Sequence, residues 1–150
     1  MQRNQKSSSI LINGSKLKIA IVVSKFNDDI TGGMLYGAAE VLKKNGVSEK
    51  NISTVWVPGA IEIPLACQRL AETKKYHGII ALGCVIKGDT DHYKYVSGES
   101  IRGVMDVMLK TGIPIGMGII TTNNLKQAKD RSGATNNKGA ESAQAVLEMI

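Results

Sequence analysis

Cysteine and aromatic residues are scarce in this sequence, and both shortages narrow the class of protein. The 150 residues include two cysteines, one phenylalanine and one tryptophan, and aromatic residues make up 4% of the chain. Cys67 and Cys84 lack the close spacing of metal ligands and each lies in an apolar segment, so we expect buried thiols and no metal site. The few aromatics and the scattered lysines argue against a surface that stacks the bases of a nucleic acid.

No apolar run is long enough to cross a bilayer, and no repeat or linker divides the chain. Residues 1–9 are polar, lack the apolar core of a signal peptide and predict a mobile tail. We therefore expect one cytoplasmic domain over residues 1–150, with neither a membrane nor a nucleic-acid partner. The formal net charge of +6 fits an anionic small substrate.

Apolar runs alternate with amphipathic segments along the chain. Residues 17–24, 52–57, 78–86 and 113–121 predict four strands, and residues 125–131 predict a short helix. Four longer helices are predicted to bury Ile30, Met34, Ala38, Val41 and Leu42; Ile63, Ala66, Cys67, Leu70 and Ala71; Ile101, Val104, Met105 and Met108; and Ala140, Ala143, Val146, Leu147 and Ile150, the last helix capped by Asn136-Asn137. This alternation predicts an α/β protein, a three-layer α/β/α sandwich with a four-stranded parallel sheet.

Each predicted strand is followed by a loop with chemically useful residues. Because parallel strands end at one edge of a sheet, these loops should line one crevice, where open α/β sheets bind ligands. The loops are Phe26-Asn27, Ala60-Ile61-Glu62, residues 85–92 and Thr121-Thr122. The sequence therefore predicts a ligand site at this edge.

The stretch at residues 83–96 is the centre of that prediction. Its strand breaks at Lys87-Gly88, and Asp89, Thr90 and Asp91 are residue types that begin helices. Such a joint presents unpaired backbone N–H groups and the positive end of a helix dipole, which suit a phosphate, and Lys87 adds a mobile charge. His92, expected one turn inside the helix, could exchange protons with the ligand. The alternative is a plain connection with an exposed histidine.

Other residues also have ordinary explanations. Phe26 could fill the core, although a loop containing Asn27 and two aspartates is a polar place for it. Glu62 could simply favour the N-terminus of the second helix. Arg131 and Lys138 could belong to a solvated face. The short apolar run at residues 10–12 could pair with a sheet edge, including that of another subunit.

Several blocks of the sequence resemble the 6,7-dimethyl-8-ribityllumazine synthase family. They are Phe26-Asn27 with Ile30-Thr31, residues 57–64, residues 83–96, and residues 118–131 with Asn137-Lys138-Gly139. The resemblance covers residues 17–150 and implies a flavodoxin-like fold with strand order 2-1-3-4. It implies an enzyme of riboflavin biosynthesis that joins 5-amino-6-(D-ribitylamino)uracil to 3,4-dihydroxy-2-butanone 4-phosphate, releasing phosphate and water, without a cofactor or metal.

The resemblance also implies the roles of individual residues. His92 would transfer protons. Phe26 would stack on the uracil ring, and Asn27 and Glu62 would hold the ribityl chain. The other implied substrate contacts are the backbone of Cys84, Val85 and Ile86 at the pyrimidine edge, Gly88, Asp89 and Thr90 at the phosphate with Arg131 of a neighbouring subunit, and Ala60, Ile61 and Met117.

Three departures from the family pattern accompany these matches. Ile61 stands where the family usually has an aromatic residue, and Met117 stands where family members often have one. The loop at 133–138 is about one residue shorter than in the family and lacks one of its lysines, which leaves the role of Lys138 open. The implied assembly is a homopentamer, with a sixty-subunit shell as the alternative.

Two other classes of protein compete with this enzyme. A flavodoxin-like redox carrier would place a flavin phosphate in the first loop, where Asp28 and Asp29 would repel it. A non-catalytic shell would not need His92 and Arg131.

Overall fold

A computed structural model describes residues 11–150, and in this range the chain forms four strands and five α-helices. The strands are β1 (Ile19–Ser24), β2 (Ile52–Val57), β3 (Gly78–Ile86) and β4 (Ile115–Thr122). The helices are α1 (Asp28–Lys44), α2 (Ile63–Glu72), α3 (His92–Thr111), α4 (Leu125–Asp130) and α5 (Lys138–Met149), with short 3₁₀ turns at Glu49–Asn51 and Ala60–Glu62. The tail predicted at residues 1–9 lies outside the described range.

The four strands are parallel and run in the order β2-β1-β3-β4, which confirms the predicted α/β/α sandwich and strand order. One face of the sheet packs against α1 and α5, and the other face packs against α2 and α3. β1 is buried along its whole length, and only the last residue of β3 is not fully buried. Central strands covered on both faces read as continuous apolar runs, which is why they could be recognised in the sequence.

The packing of α5 against α1 depends on one glycine. A Cβ atom at Gly139 would meet the main-chain carbonyl oxygen of Met34 in α1. Because that oxygen belongs to a helix backbone, a side chain at this position could fit only if the two helices moved apart. Asn137 caps α5, as predicted, by accepting a hydrogen bond from the Ala140 N–H at 3.0 Å.

Two of the predicted core residues are exposed, so these predictions were wrong. Met105 is 42% exposed, while Val107 is buried in its place. Val104 and Val107 lie three residues apart and define the buried face of α3, and Met105 is turned away from it. Ile150 is 46% exposed and lies one residue beyond Met149, where α5 ends.

The predicted ends of several elements also need correction. β1 and β4 begin at Ile19 and Ile115 rather than at residues 17 and 113, and β4 continues to Thr122. Helix α4 ends at Asp130, so Arg131 follows the helix instead of belonging to it. Element ends depend on local hydrogen bonds that hydrophobic periodicity does not record.

The described part of the apolar run at residues 10–12 does not form a strand. The Ile12 N–H donates to the Asn45 side-chain oxygen at 2.8 Å, and the Gly14 N–H donates to the Asn45 carbonyl at 2.6 Å. Asn45 is the buried residue that ends α1. The run is therefore attached to the end of α1, and its pairing with another subunit stays a prediction. Across residues 11–150, none of the helices combines the length and apolarity needed to span a membrane.

Candidate active site

A cavity of about 440 Å³ opens at the carboxyl edge of the sheet, where the chain leaves β1, β2 and β3. In the sheet, β1 lies between β2 and β3, so the chain passes from β1 to one side and later returns to the other side. Ligands of open α/β sheets bind at such a switch in strand order. The cavity is lined by Phe26, Gly59, Ala60, Ile61, Glu62, Cys84, Val85, Ile86, Gly88, Thr90, His92, Tyr93 and Val96. Most of the predicted site residues therefore lie together.

Phe26 projects into this cavity from the loop after β1, and it is 71% exposed. Its loop is held against the loop after β2, because the Lys25 N–H donates to the Val57 carbonyl at 2.8 Å and the Phe26 N–H donates to the Pro58 carbonyl at 3.2 Å. The ring is therefore not filling the core. A solvent-facing ring on a hydrogen-bonded backbone in a concave site is suited to stacking on a flat ligand.

Asn27 lies beside the cavity but is not part of its lining. Its backbone is left-handed, with a φ of 58°, a conformation that Asn tolerates better than most residues. Its side-chain amide donates to the Cys84 carbonyl at 3.0 Å, joining the end of β1 to β3. Asn27 thus fixes the distance between the two strand ends that flank the cavity.

Glu62 makes a hydrogen bond within its own loop and also lines the cavity. Its carboxylate accepts a hydrogen bond from the Gly59 N–H at 2.9 Å, which caps the 3₁₀ turn at Ala60–Glu62, whereas the side chain makes no capping bond to α2. The side chain nevertheless stays exposed and lines the cavity. Ile61, 51% exposed, adds an apolar group to the same wall.

The joint between β3 and α3 forms the far side of the cavity. The sequence predicted His92 one turn inside α3, but His92 is the first residue of that helix. Asp91 occupies the capping position directly before it. The Thr90 hydroxyl accepts a hydrogen bond from the His92 N–H at 3.3 Å. Gly88, Thr90 and His92 line the cavity, whereas Asp89 is exposed outside it. The positive end of a 20-residue helix therefore faces the cavity.

Met117 and Arg131 lie elsewhere in the chain. They line a second cavity, also of about 440 Å³, along the outer edge of β4 and α5, and it shares no lining residue with the first. The Arg131 guanidinium donates to the Gln127 carbonyl at 2.9 Å, and the Lys138 ammonium pairs with the Glu141 carboxylate at 3.0 Å. Within one chain, the predicted site is divided between two cavities.

The loop after β4 does not reach the first cavity, so the prediction that Thr121-Thr122 line it was wrong. Thr121 lines the second cavity, and Thr122 is buried with its hydroxyl donating to the Asn124 carbonyl at 3.1 Å. The reason is that β4 is the edge strand, with β3 standing between it and β1.

Comparison with known proteins identifies the family. The family model described as 6,7-dimethyl-8-ribityllumazine synthase matches residues 16–150. A protein of Leuconostoc mesenteroides subsp. mesenteroides named 6,7-dimethyl-8-ribityllumazine synthase is 50% identical over 141 residues, which cover 93% of this chain and 90% of that protein. The chain belongs to the 6,7-dimethyl-8-ribityllumazine synthase family. The family resemblance inferred from the sequence blocks is therefore confirmed.

In this member of the lumazine synthase family, the cavity includes three residues that were not predicted: Gly59, Tyr93 and Val96. Tyr93 directly follows His92, and Val96 lies three residues later on the same side of α3. That spacing could have indicated both residues, because a helix that presents its first residue to a cavity also presents part of its next turn.

The two cysteines of this lumazine synthase family member are free and buried, as predicted. Burial raises the pKa of Cys67 from 9.0 to about 12. Burial, and secondly the negative charge of Asp29, raise the pKa of Cys84 to about 12. The unfolded chain loses these protons first as the pH rises, so the two thiols do not change the free energy of unfolding well below pH 9 and lower it between pH 9 and 12. Residues 11–150 contain no cluster of three or more side chains placed to hold a metal ion.

Proposed function

We propose that this protein is a 6,7-dimethyl-8-ribityllumazine synthase of riboflavin biosynthesis. It condenses 5-amino-6-(D-ribitylamino)uracil with 3,4-dihydroxy-2-butanone 4-phosphate. The observation that carries the proposal is the family membership of residues 16–150, together with the position of the family-like blocks around one cavity. The 5-amino group attacks the ketone to form an imine with loss of water, and elimination of phosphate then leaves an enol that tautomerises to a second carbonyl. The ribitylamino nitrogen attacks this carbonyl, and loss of a second water closes the ring.

The cavity offers complementary groups for the pyrimidine substrate. Phe26 supplies an aromatic face for the uracil ring, and the Glu62 carboxylate can accept hydrogen bonds from ribityl hydroxyls. The backbone from Cys84 to Ile86 can read the pyrimidine edge with main-chain groups. Asn27, which is bonded to the Cys84 carbonyl, positions that backbone as well as the loop that carries Phe26.

The joint between β3 and α3 is the proposed phosphate site. Gly88 has open space on its Cβ side, and the Thr90 hydroxyl remains able to donate a hydrogen bond while it accepts one from the His92 N–H. These groups lie at the positive end of α3, where a phosphate is favoured. His92 lines the same cavity and can move protons between the reacting groups, whereas Asp89 contributes through its backbone.

Positioning supplies most of the rate in this proposal. Holding two reactants in attack geometry can lower a barrier by about 7–11 kcal/mol, whereas a placed proton-transfer residue contributes roughly 10²–10⁴-fold. No metal or organic cofactor has a step in the mechanism.

We further propose that the active site is shared between subunits. The cavity that contains Phe26 and His92 and the cavity that contains Met117 and Arg131 face different sides of one subunit. A head-to-tail contact can bring the first cavity of one copy against the second cavity of the next, and such contacts close into rings. The family resemblance favours a homopentamer over other rings, with the sixty-subunit shell as the alternative, formed from one-domain chains in the cytoplasm.

The direct test is to mix the purified protein with both substrates and to follow the fluorescence of the lumazine product. We expect product without added metal and undiminished activity in a strong chelator. A flavin absorbance in the purified protein without turnover would favour the redox carrier instead. Absence of product from intact, assembled protein would refute the proposal.

A further inference from the structure

Lys87, beside the first cavity, has a backbone fixed by a hydrogen bond and a side-chain ammonium group that contacts an aromatic ring. Its N–H donates to the Thr122 carbonyl at 2.8 Å, which continues the pairing of β3 and β4 by one residue and fixes the backbone. Its ammonium nitrogen lies over the ring of Tyr93, 5.8 Å from the ring centre. This distance is within the range of a cation–π interaction. The side chain is therefore confined although it is exposed.

No carboxylate neutralises this ammonium group in the described chain. The ion pairs among residues 11–150 do not include Lys87, and the Asp91 carboxylate, four residues along the chain, pairs with Lys94 at 3.6 Å. Tyr93, the ring under the ammonium, is itself part of the cavity wall, as are the two sequence neighbours of Lys87, Ile86 and Gly88. An unpaired cation is thus held at the rim of the cavity next to the joint.

We propose that Lys87 is a phosphate-binding residue and that Tyr93 is the positioning residue that holds its ammonium toward the joint. The proposal rests on the proposed function and adds to it a cation from the same subunit as Gly88 and Thr90. The phosphate of the substrate then lies between Lys87 on one subunit and Arg131 on the next. A phosphate ester, and not a neutral sugar or ketone, is the ligand chemistry that this charge selects.

The first experiment is a titration with inorganic phosphate, followed by isothermal calorimetry, of wild-type protein and Lys87→Met. Methionine keeps much of the length and apolar character of the lysine stem and removes its charge. We expect the Kd for phosphate to rise about tenfold, since a charged hydrogen bond is lost, and Lys87→Arg to restore it to within a few-fold. Lys110→Met is the matched control, because Lys110 is exposed at the other end of α3, about 27 Å from the joint.

The second experiment tests the positioning role of Tyr93. Tyr93→Leu removes the ring and keeps an apolar side chain, so the Kd for phosphate should rise about two- to fivefold, the range of an exposed cation–π contact. Tyr93→Phe keeps the ring face and should retain most of the affinity. Adding Tyr93→Leu to Lys87→Met should cause no further loss, because the ring would act through the ammonium. Tyr93→Met replaces Tyr93→Leu if the latter does not fold.

Kinetics separate this inference from the proposed function. In an active wild-type enzyme, Lys87→Met should raise the KM for the butanone phosphate and leave the KM for the pyrimidine within twofold. Wild-type activity with unchanged phosphate affinity and KM in Lys87→Met would overturn the inference alone. Wild-type protein that makes no lumazine would refute the proposed function, and the phosphate titration would still decide the role of Lys87. If Tyr93→Leu weakens phosphate binding by the same factor in wild-type protein and in Lys87→Met, the losses are additive. Tyr93 would then have a packing role only.

Discussion

Two variants that damage opposite cavities should each be nearly inactive and should regain activity when they are assembled together. The first variant, Phe26→Ala/Glu62→Ala, loses the ring and the carboxylate of the first cavity, and the second, Arg131→Ala, loses the cation of the second cavity. Each homogeneous assembly carries one damaged half in every proposed shared site. A mixed assembly contains some interfaces at which both halves are intact.

The size of the recovery follows from the division of the site between two cavities. In a random ring with equal amounts of both variants, one half of the subunits carry an intact first cavity and the other half carry an intact second cavity. About a quarter of the interfaces then join two intact halves, because a head-to-tail ring pairs the first cavity of each subunit with the second cavity of its neighbour. The recovered activity should vary with the mixing ratio as the product of the two fractions and peak at equal amounts.

The assay is lumazine fluorescence after the two variants are unfolded together and refolded, with the butanone phosphate kept below its KM so that weak binding lowers the rate. Wild-type protein treated in the same way sets the yield. A mixture of Phe26→Ala/Glu62→Ala with His92→Ala is the matched control, because both lesions lie in the first cavity and no interface can be repaired. Activity equal to the mean of the parents, or a protein that sediments as an active monomer, would refute the shared site.

Other changes, to the helix packing, to the site and to a buried thiol, also have expected outcomes. Gly139→Ala should lower the melting temperature by roughly 4–8 °C, because forcing α5 away from α1 costs about 3 kcal/mol and the gain in helix propensity is at most about 1 kcal/mol. Gly98→Ala is the control, because its added methyl group meets no atom within 4 Å and should not lower the melting temperature. Arg131→Ala should raise the KM for the butanone phosphate far more than that for the pyrimidine, and equal effects of Arg131→Ala on both KM values would contradict the phosphate assignment. His92→Ala should chiefly lower kcat, by roughly 10²–10⁴-fold. Between pH 9 and 11, the free energy of unfolding of wild type should fall relative to that of Cys67→Ala by about 1.4 kcal/mol per pH unit, measured by urea unfolding, and parallel pH profiles would exclude a buried thiol that stays protonated.

The order of elements could be predicted because the sequence signal is strong where the structure is most buried. β1 and β3 are covered on both faces, so their apolar runs have few interruptions, and the helices between strands require parallel crossovers. The rotation of α3 was harder to predict. Met105 lies next to Val104 and is equally apolar, and only packing against the sheet decides which of them is buried.

The first cavity could largely be predicted because it depends on a general rule. Residues directly after parallel strands meet at one edge, so Phe26, Glu62 and His92 could be grouped although they are far apart in the sequence. The bond between Asn27 and the Cys84 carbonyl spans 57 positions and has no local pattern. The same limitation hid the cation–π contact of Lys87 with Tyr93, since periodicity does not reveal where a flexible side chain ends.

The division of the predicted site between two cavities follows from strand order, and the proposed sharing of the site would make catalysis depend on assembly. Every strand-end loop would reach one crevice if the sheet were narrow enough, but β4 is separated from β1 by β3, so Arg131 is carried to the outer edge. The first cavity holds an aromatic ring, a carboxylate and a histidine, and at its proposed phosphate site the exposed charge of Lys87 and a helix dipole do not fully balance a dianion. On the proposed sharing, a neighbour's Arg131 supplies the missing charge, and a subunit that has not assembled would hold the pyrimidine better than the phosphate ester. Positioning both substrates would then depend on the ring of subunits, because neither cavity alone contains all the groups that the proposed reaction needs.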